Sequence, residues 1–250
     1  IELCRKDIRD ALSYGSDYYF NNAFHSSDIE PFTSLVKVMI ESKYNDVRME
    51  GHKQVLARWF FNSLFFSEIQ QELKSTNKEA LLGYSSVIKY LLSEDIKESD
   101  YTQLKPIFEI LANSEDEEVQ KTIGMLFNNK FWSKRFARDF FEIYIHSKAF
   151  NNNIEFILYS LEDTSINIAD FSPLLLTMIK SINQLNIQGH INYLEIEVVT
   201  KIIQQLYDQA ENDADEEVLN YCLDMWDELL ASNLASLATV TNKIDCGLLS

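Results

Sequence analysis

The chain has 250 residues, a net charge of −17 and 46% apolar residues, 16 of them Phe, a content too greasy for a disordered polymer. Its 6 Gly and 3 Pro are too few for a strand-rich fold, which needs turn residues about every 8–12 positions. No run approaches the ~20 consecutive apolar residues of a membrane span, and the acidity is uneven: residues 1–150 carry net −4, residues 151–250 net −13 with only Lys180, Lys201 and Lys243 as cations. Nucleic-acid binding needs a positive face, so the acidic last third argues against it and favours a basic protein partner.

Taken in chain order, the apolar spacing is helical almost throughout. Phe32, Leu35, Val36, Met39 and Ile40 fall on one helix face, and the helix from Val47 follows after ESKYND. Phe66–Leu73 precedes KSTNKE and the helix from Leu81. Leu104, Ile107, Phe108 and Leu111 precede SEDEE and the helix from Val119. Further helices are predicted over Phe136–Tyr144, Ile154–Leu161 and Leu174–Leu185. The stripe Val199, Ile202, Ile203, Leu206 and Ala210 precedes ENDADEE and the helix from Val218.

Capping chemistry marks the starts. Ser114 with Glu117, Asp213 with Glu216, and Thr76 with Glu79 each fit a capping box, in which the cap oxygen takes an orphan amide and the Glu reaches back. The acid clusters Glu115–Glu118 and Asp215–Glu217 then sit at the positive end of a helix dipole. Gly51, Gly83 and Gly124 lie inside second helices, where glycine costs about 1 kcal/mol against Ala and marks close helix approach.

Four hairpins with second-helix starts near 47, 81, 119 and 218 predict an all-α fold, a right-handed alpha solenoid of HEAT-like helical hairpins. Residues 1–250 read as a single array cut from a longer chain, with a possible hinge near 186–192 at IQGHIN.

Chemistry-bearing motifs are missing. The sequence has no GxxxxGK[ST], GxGxxG, GxSxG or HExxH. The histidines, His25, His52, His146 and His190, stand singly, so no metal ligands, cofactor or catalytic residues are assigned and the expectation is a non-enzyme. Cys4, Cys222 and Cys246 read as reduced thiols, which predicts a cytoplasmic protein.

Two stretches carry candidate partner contacts. In KFWSKRFARDFF, basic residues interleave with aromatics. This is either a stacking platform for single strands or an amphipathic helix with Phe136, Phe140, Ile143 and Tyr144 inside. Arg135 with Asp139, and Arg138 with Glu142, have the spacing of helical ion pairs, leaving Lys130 and Lys134 as spare charge. In EVLNYCLDMWDELL, Val218, Cys222, Met225 and Leu229 form one apolar stripe. Leu219, Leu223, Trp226 and Leu230 form a second beside it. Together they predict a wide face buried between layers. Trp226 reads as core or as an interface anchor, with Asp224, Asp227 and Glu228 on the polar side.

CLDMWDELLAS, the preceding IIQQLYDQA with its acidic turn, and FEIYIHS resemble the C-terminal helical arrays of bacterial STAND-type NTPases, the NACHT-containing antiviral ATPases. That resemblance implies a sensor region that recognises an invader (phage) protein and relays the signal to an ATPase elsewhere in the chain. Two rivals remain open: a structural or autoinhibitory array packing on other domains of its own chain, and a nucleic-acid-binding helical-repeat protein.

Overall fold

The computed structural model describes residues 38–50, 73, 77–92, 96, 98–162, 168–187 and 193–231. Among these the chain is helical, with no strand. It divides into two compact units, residues 1–126 and 127–250. The expected hinge at IQGHIN falls mostly outside the described residues, as do the expected helical stretches Phe32–Lys37 and Phe66–Glu72, and Thr76 and Gly51.

Unit 1 contains α1 (Asn45–Glu50), α2 (Lys78–Leu92), α3 (Glu98–Ala112) and α4 (Glu117–Gly124). The predicted helix starts near 47, 81 and 119 lie two to three residues inside these elements, because the first apolar residue follows the cap by a turn. Helices α3 and α4 form the expected hairpin, and α2 packs on both. Leu104, Ile107, Phe108 and Leu111 of α3 are buried, as are Val119 and Ile123 of α4.

Gly83 explains one close approach. A Cβ built there would lie 2.0 Å from the carbonyl oxygen of Ile40 and 2.8 Å from its carbonyl carbon. Only a hydrogen at that position lets α2 lie against the backbone near Ile40, and Tyr84 Oη adds a 3.1 Å hydrogen bond to Glu41 Oε1.

The caps differ from the predicted boxes in a consistent way. Asp116 caps α4, its Oδ1 accepting from the amides of Glu118 at 3.0 Å and Val119 at 3.2 Å. Ser114 instead takes the amide of Asp116. Asn77 caps α2 through the amides of Glu79 and Ala80. Asp215 takes the amide of Val218 at 3.1 Å. In each case an Asp or Asn directly before the helix wins, since its short side chain reaches the second and third orphan amides with the least ordering.

Unit 2 contains α5 (Asn129–Trp132), α6 (Ala137–Ile145), α7 (Lys148–Asn152) and α8 (Ile154–Leu161). A 3-10 turn (Ala169–Phe171) leads into α9 (Ser172–Ile187), followed by α10 (Tyr193–Asp213) and α11 (Glu216–Ala231). Its core near α5 and α6 is aromatic. Phe127, Phe131, Trp132, Phe141, Tyr144 and Phe171 meet at ring-centroid distances of 4.5–6.2 Å. The indole of Trp132 donates to Ser160 Oγ, and Tyr144 Oη donates to the carbonyl of Ala149 at 3.3 Å, so the buried polar tips have partners.

Helix α11 packs on its hairpin partner α10 and also on α9. Asn183 of α9 donates to the Glu228 carbonyl at 2.7 Å, tying α9 to α11. The elbow between α10 and α11 is two residues long. Ala214 has φ 55°, the left-handed conformation that usually calls for glycine. The amide of Asp215 donates to the Ala210 carbonyl at 2.9 Å, and that of Ala214 to the Glu211 carbonyl at 3.3 Å, which closes the end of α10.

Only one of the two predicted stripes of α11 is fully covered. Val218, Cys222, Met225 and Leu229 are buried, and so is Trp226, but Leu223 is 45% and Leu230 53% exposed. Helices α9 and α10 pack on α11, while Leu223 and Leu230 keep about half of their surface exposed. No helix among the described residues is long and apolar enough to cross a membrane.

Candidate functional site

Unit 2 contains a cleft of about 820 Å³. One part of its lining is basic: Lys134, Arg135 and Arg138, beside Trp132 and Ser133. Another part is acidic: Asp170 from the 3-10 turn, with Asp215 and Glu217 from the start of α11. Phe171, Pro173, Val218 and Tyr221 add apolar surface to the lining.

Local folding positions the basic group. Asn128 caps α5 through the amide of Lys130. The chain then breaks, because the Ser133 hydroxyl bonds the Lys130 carbonyl and α6 begins anew at Ala137. This break exposes Arg135 and Arg138 while Phe131, Trp132 and Phe136 turn inward. The Arg135 guanidinium lies 4.9 Å from the centre of the Phe136 ring, a cation–π contact. The acidic group is held by capping: Asp215 and Glu217 sit at the α11 N-terminus, where the dipole favours them.

The structure brings some sequence candidates together and separates others. Lys134, Arg135 and Arg138 share the cleft; Lys130 is exposed but does not line it. Among the described residues neither Arg135–Asp139 nor Arg138–Glu142 forms an ion pair. Trp226 is 5% exposed and belongs to the core, although its stripe mates Leu223 and Leu230 stay exposed; it does not present its ring to solvent. Asp224 and Asp227 are exposed on the outer side of α11, and Glu228 lies 3.8 Å from Lys180 of α9.

The aromatic residues of KFWSKRFARDFF do not form a stacking platform. Phe131, Trp132, Phe136, Phe140 and Phe141 are all buried, and a base needs an exposed ring face. Asp170, Tyr221 and the Asp215–Glu217 pair were missed as site residues. Asp215 and Glu217 read as acids at a helix start, with Asp213 expected as the cap where Asp215 takes that role, and nothing in their spacing shows that the start of α11 comes beside the start of α6.

Elsewhere, burial pushes the Cys222 thiol up to about 12, so it is a core side chain rather than a nucleophile. Burial, with the Glu155 charge adding to it, also raises the Tyr144 phenol. No group of three His, Cys, Asp or Glu among the described residues is arranged to hold a metal ion. No family model, curated protein or solved structure matches the chain.

Proposed function

We propose that the chain is a non-enzymatic protein-binding scaffold, a right-handed array of HEAT-like hairpins that serves as the sensor region of a cytoplasmic bacterial STAND-type antiviral NTPase. That the hairpins of both units belong to one array is part of this proposal. The observation that supports it most is the two-signed cleft of unit 2, with Lys134, Arg135 and Arg138 in one part of its lining and Asp170, Asp215 and Glu217 in another. A charged, patterned concavity on stacked helices suits recognition of a protein surface, where electrostatic complementarity sets specificity and association rate. The link to antiviral ATPases rests on the resemblance at CLDMWDELLAS, IIQQLYDQA and FEIYIHS.

The test compares capture of candidate phage proteins by the parent protein and by the same protein lacking these 250 residues. Capture should require them; equal capture by both removes the sensor reading. One observation favours the rival, packing on other domains of the same chain. Leu223 and Leu230 are exposed on α11 and would be covered by such a contact.

A further inference from the structure

The charges of the cleft have different origins. Asp215 and Glu217 stabilise the helix they begin. Arg138 does the opposite: it stands in the first turn of α6, at the positive end of the dipole. It is exposed, and the helical pair with Glu142 that would offset this placement is not formed among the described residues. The placement of Arg138 is therefore unexplained by local helix stability. Its position opposite in sign to Asp170, Asp215 and Glu217, within one cleft, also limits what can enter. A polyanion that reached the arginines would meet three carboxylates; a polycation that reached the carboxylates would meet Arg135 and Arg138. Only a ligand carrying both signs is matched by the whole lining, with Val218, Tyr221 and Pro173 available to its apolar part.

We propose that this cleft binds an extended peptide segment of a partner protein that carries a carboxylate and, a few residues away, a Lys or Arg side chain. The carboxylate is held by Arg138, and the cation by Asp170, Asp215 and Glu217. The inference rests on the protein-binding reading above and names the chemistry of its ligand. The volume, about 820 Å³, falls within the roughly 300–1,000 Å³ of ligand-binding clefts.

The experiment measures fluorescence anisotropy of the full chain with labelled peptide libraries of equal length. In one library Glu and Lys are fixed at two positions, in a second Glu stands at both, and in a third Lys stands at both. A single-stranded oligonucleotide is the fourth probe. The mixed library should bind. Arg138→Glu should weaken it by about tenfold or more, and Arg138→Lys should retain most of the affinity. Far-UV circular dichroism checks folding, and Arg138→Gln carries the same expectation, with a smaller loss, should the reversal fail to fold. Equal or tighter binding of the all-Glu library or the oligonucleotide overturns the proposal in favour of an anion site. Absence of mixed-library binding, or binding indifferent to Arg138, overturns it too. Partner capture that still depends on these 250 residues would then leave the scaffold reading intact and move recognition to another surface.

Discussion

Asp116 shows how one side chain serves a helix start and an ion pair together. Its carboxylate caps α4 and also meets Lys78 Nζ at 3.1 Å, while the same ammonium reaches Glu118 at 3.0 Å. Burial pulls its pKa up, but Lys78 and the amides of Val119 and Glu118 outweigh that and hold it below the ordinary value of 3.8. A depressed carboxylate stabilises the fold fully above its unfolded value, and the contribution fades as pH falls through the lower folded one. Asp116→Ala should cost about 1 kcal/mol in urea denaturation at neutral pH. Asp116→Asn keeps an acceptor for the cap and loses only a partly exposed pair, so it should cost well under that. The deficit of Asp116→Asn should shrink when the denaturation is repeated below pH 3.8, and a deficit independent of pH would contradict this account. The sequence showed that acids open these helices, but it pointed to Ser114 and Asp213 as the caps where Asp116 and Asp215 take that role. Ser114 and Asp116 are both chemically able, and the choice depends on which backbone residue leaves helical geometry first.

At the level of elements, helix positions and the α3–α4 and α10–α11 hairpins were legible because burying a stripe at 3.6-residue spacing leaves little choice. Gly83 was legible as a close approach, though its neighbour, the backbone at Ile40, was not. Gly83→Ala should destabilise unit 1 by about 1–3 kcal/mol in chemical denaturation, since the obstacle is main chain and cannot rotate away. An unchanged midpoint would show that α2 does not sit this close. The second stripe of α11 was misread for a reason of the same kind. Periodicity states which residues share a face, and it is silent on how many neighbours arrive to cover it. Trp226 found cover from the α9–α10 side, whereas Leu223 and Leu230 did not.

At the scale of the whole molecule, charge was the clearest message of the sequence and the cleft the least. With net −17 and an isoelectric point near 4.6, association with a basic partner should slow as salt rises. Stopped-flow rates for such a partner should fall several-fold between low and physiological ionic strength, and rates indifferent to salt would remove electrostatic steering from the account. The cleft was illegible because Arg138 and Glu217 are far apart in sequence and meet only through the packing of α6, α9 and α11. The elbow at Ala214 and Asp215 has a further effect on that meeting. Asp215 is at once the residue that closes α10, the cap of α11 and part of the acidic lining. Its carboxylate is therefore oriented by the Val218 amide in the unliganded chain, so under the proposed peptide reading an arriving cation would meet a preset counter-charge at little cost in rotamer freedom.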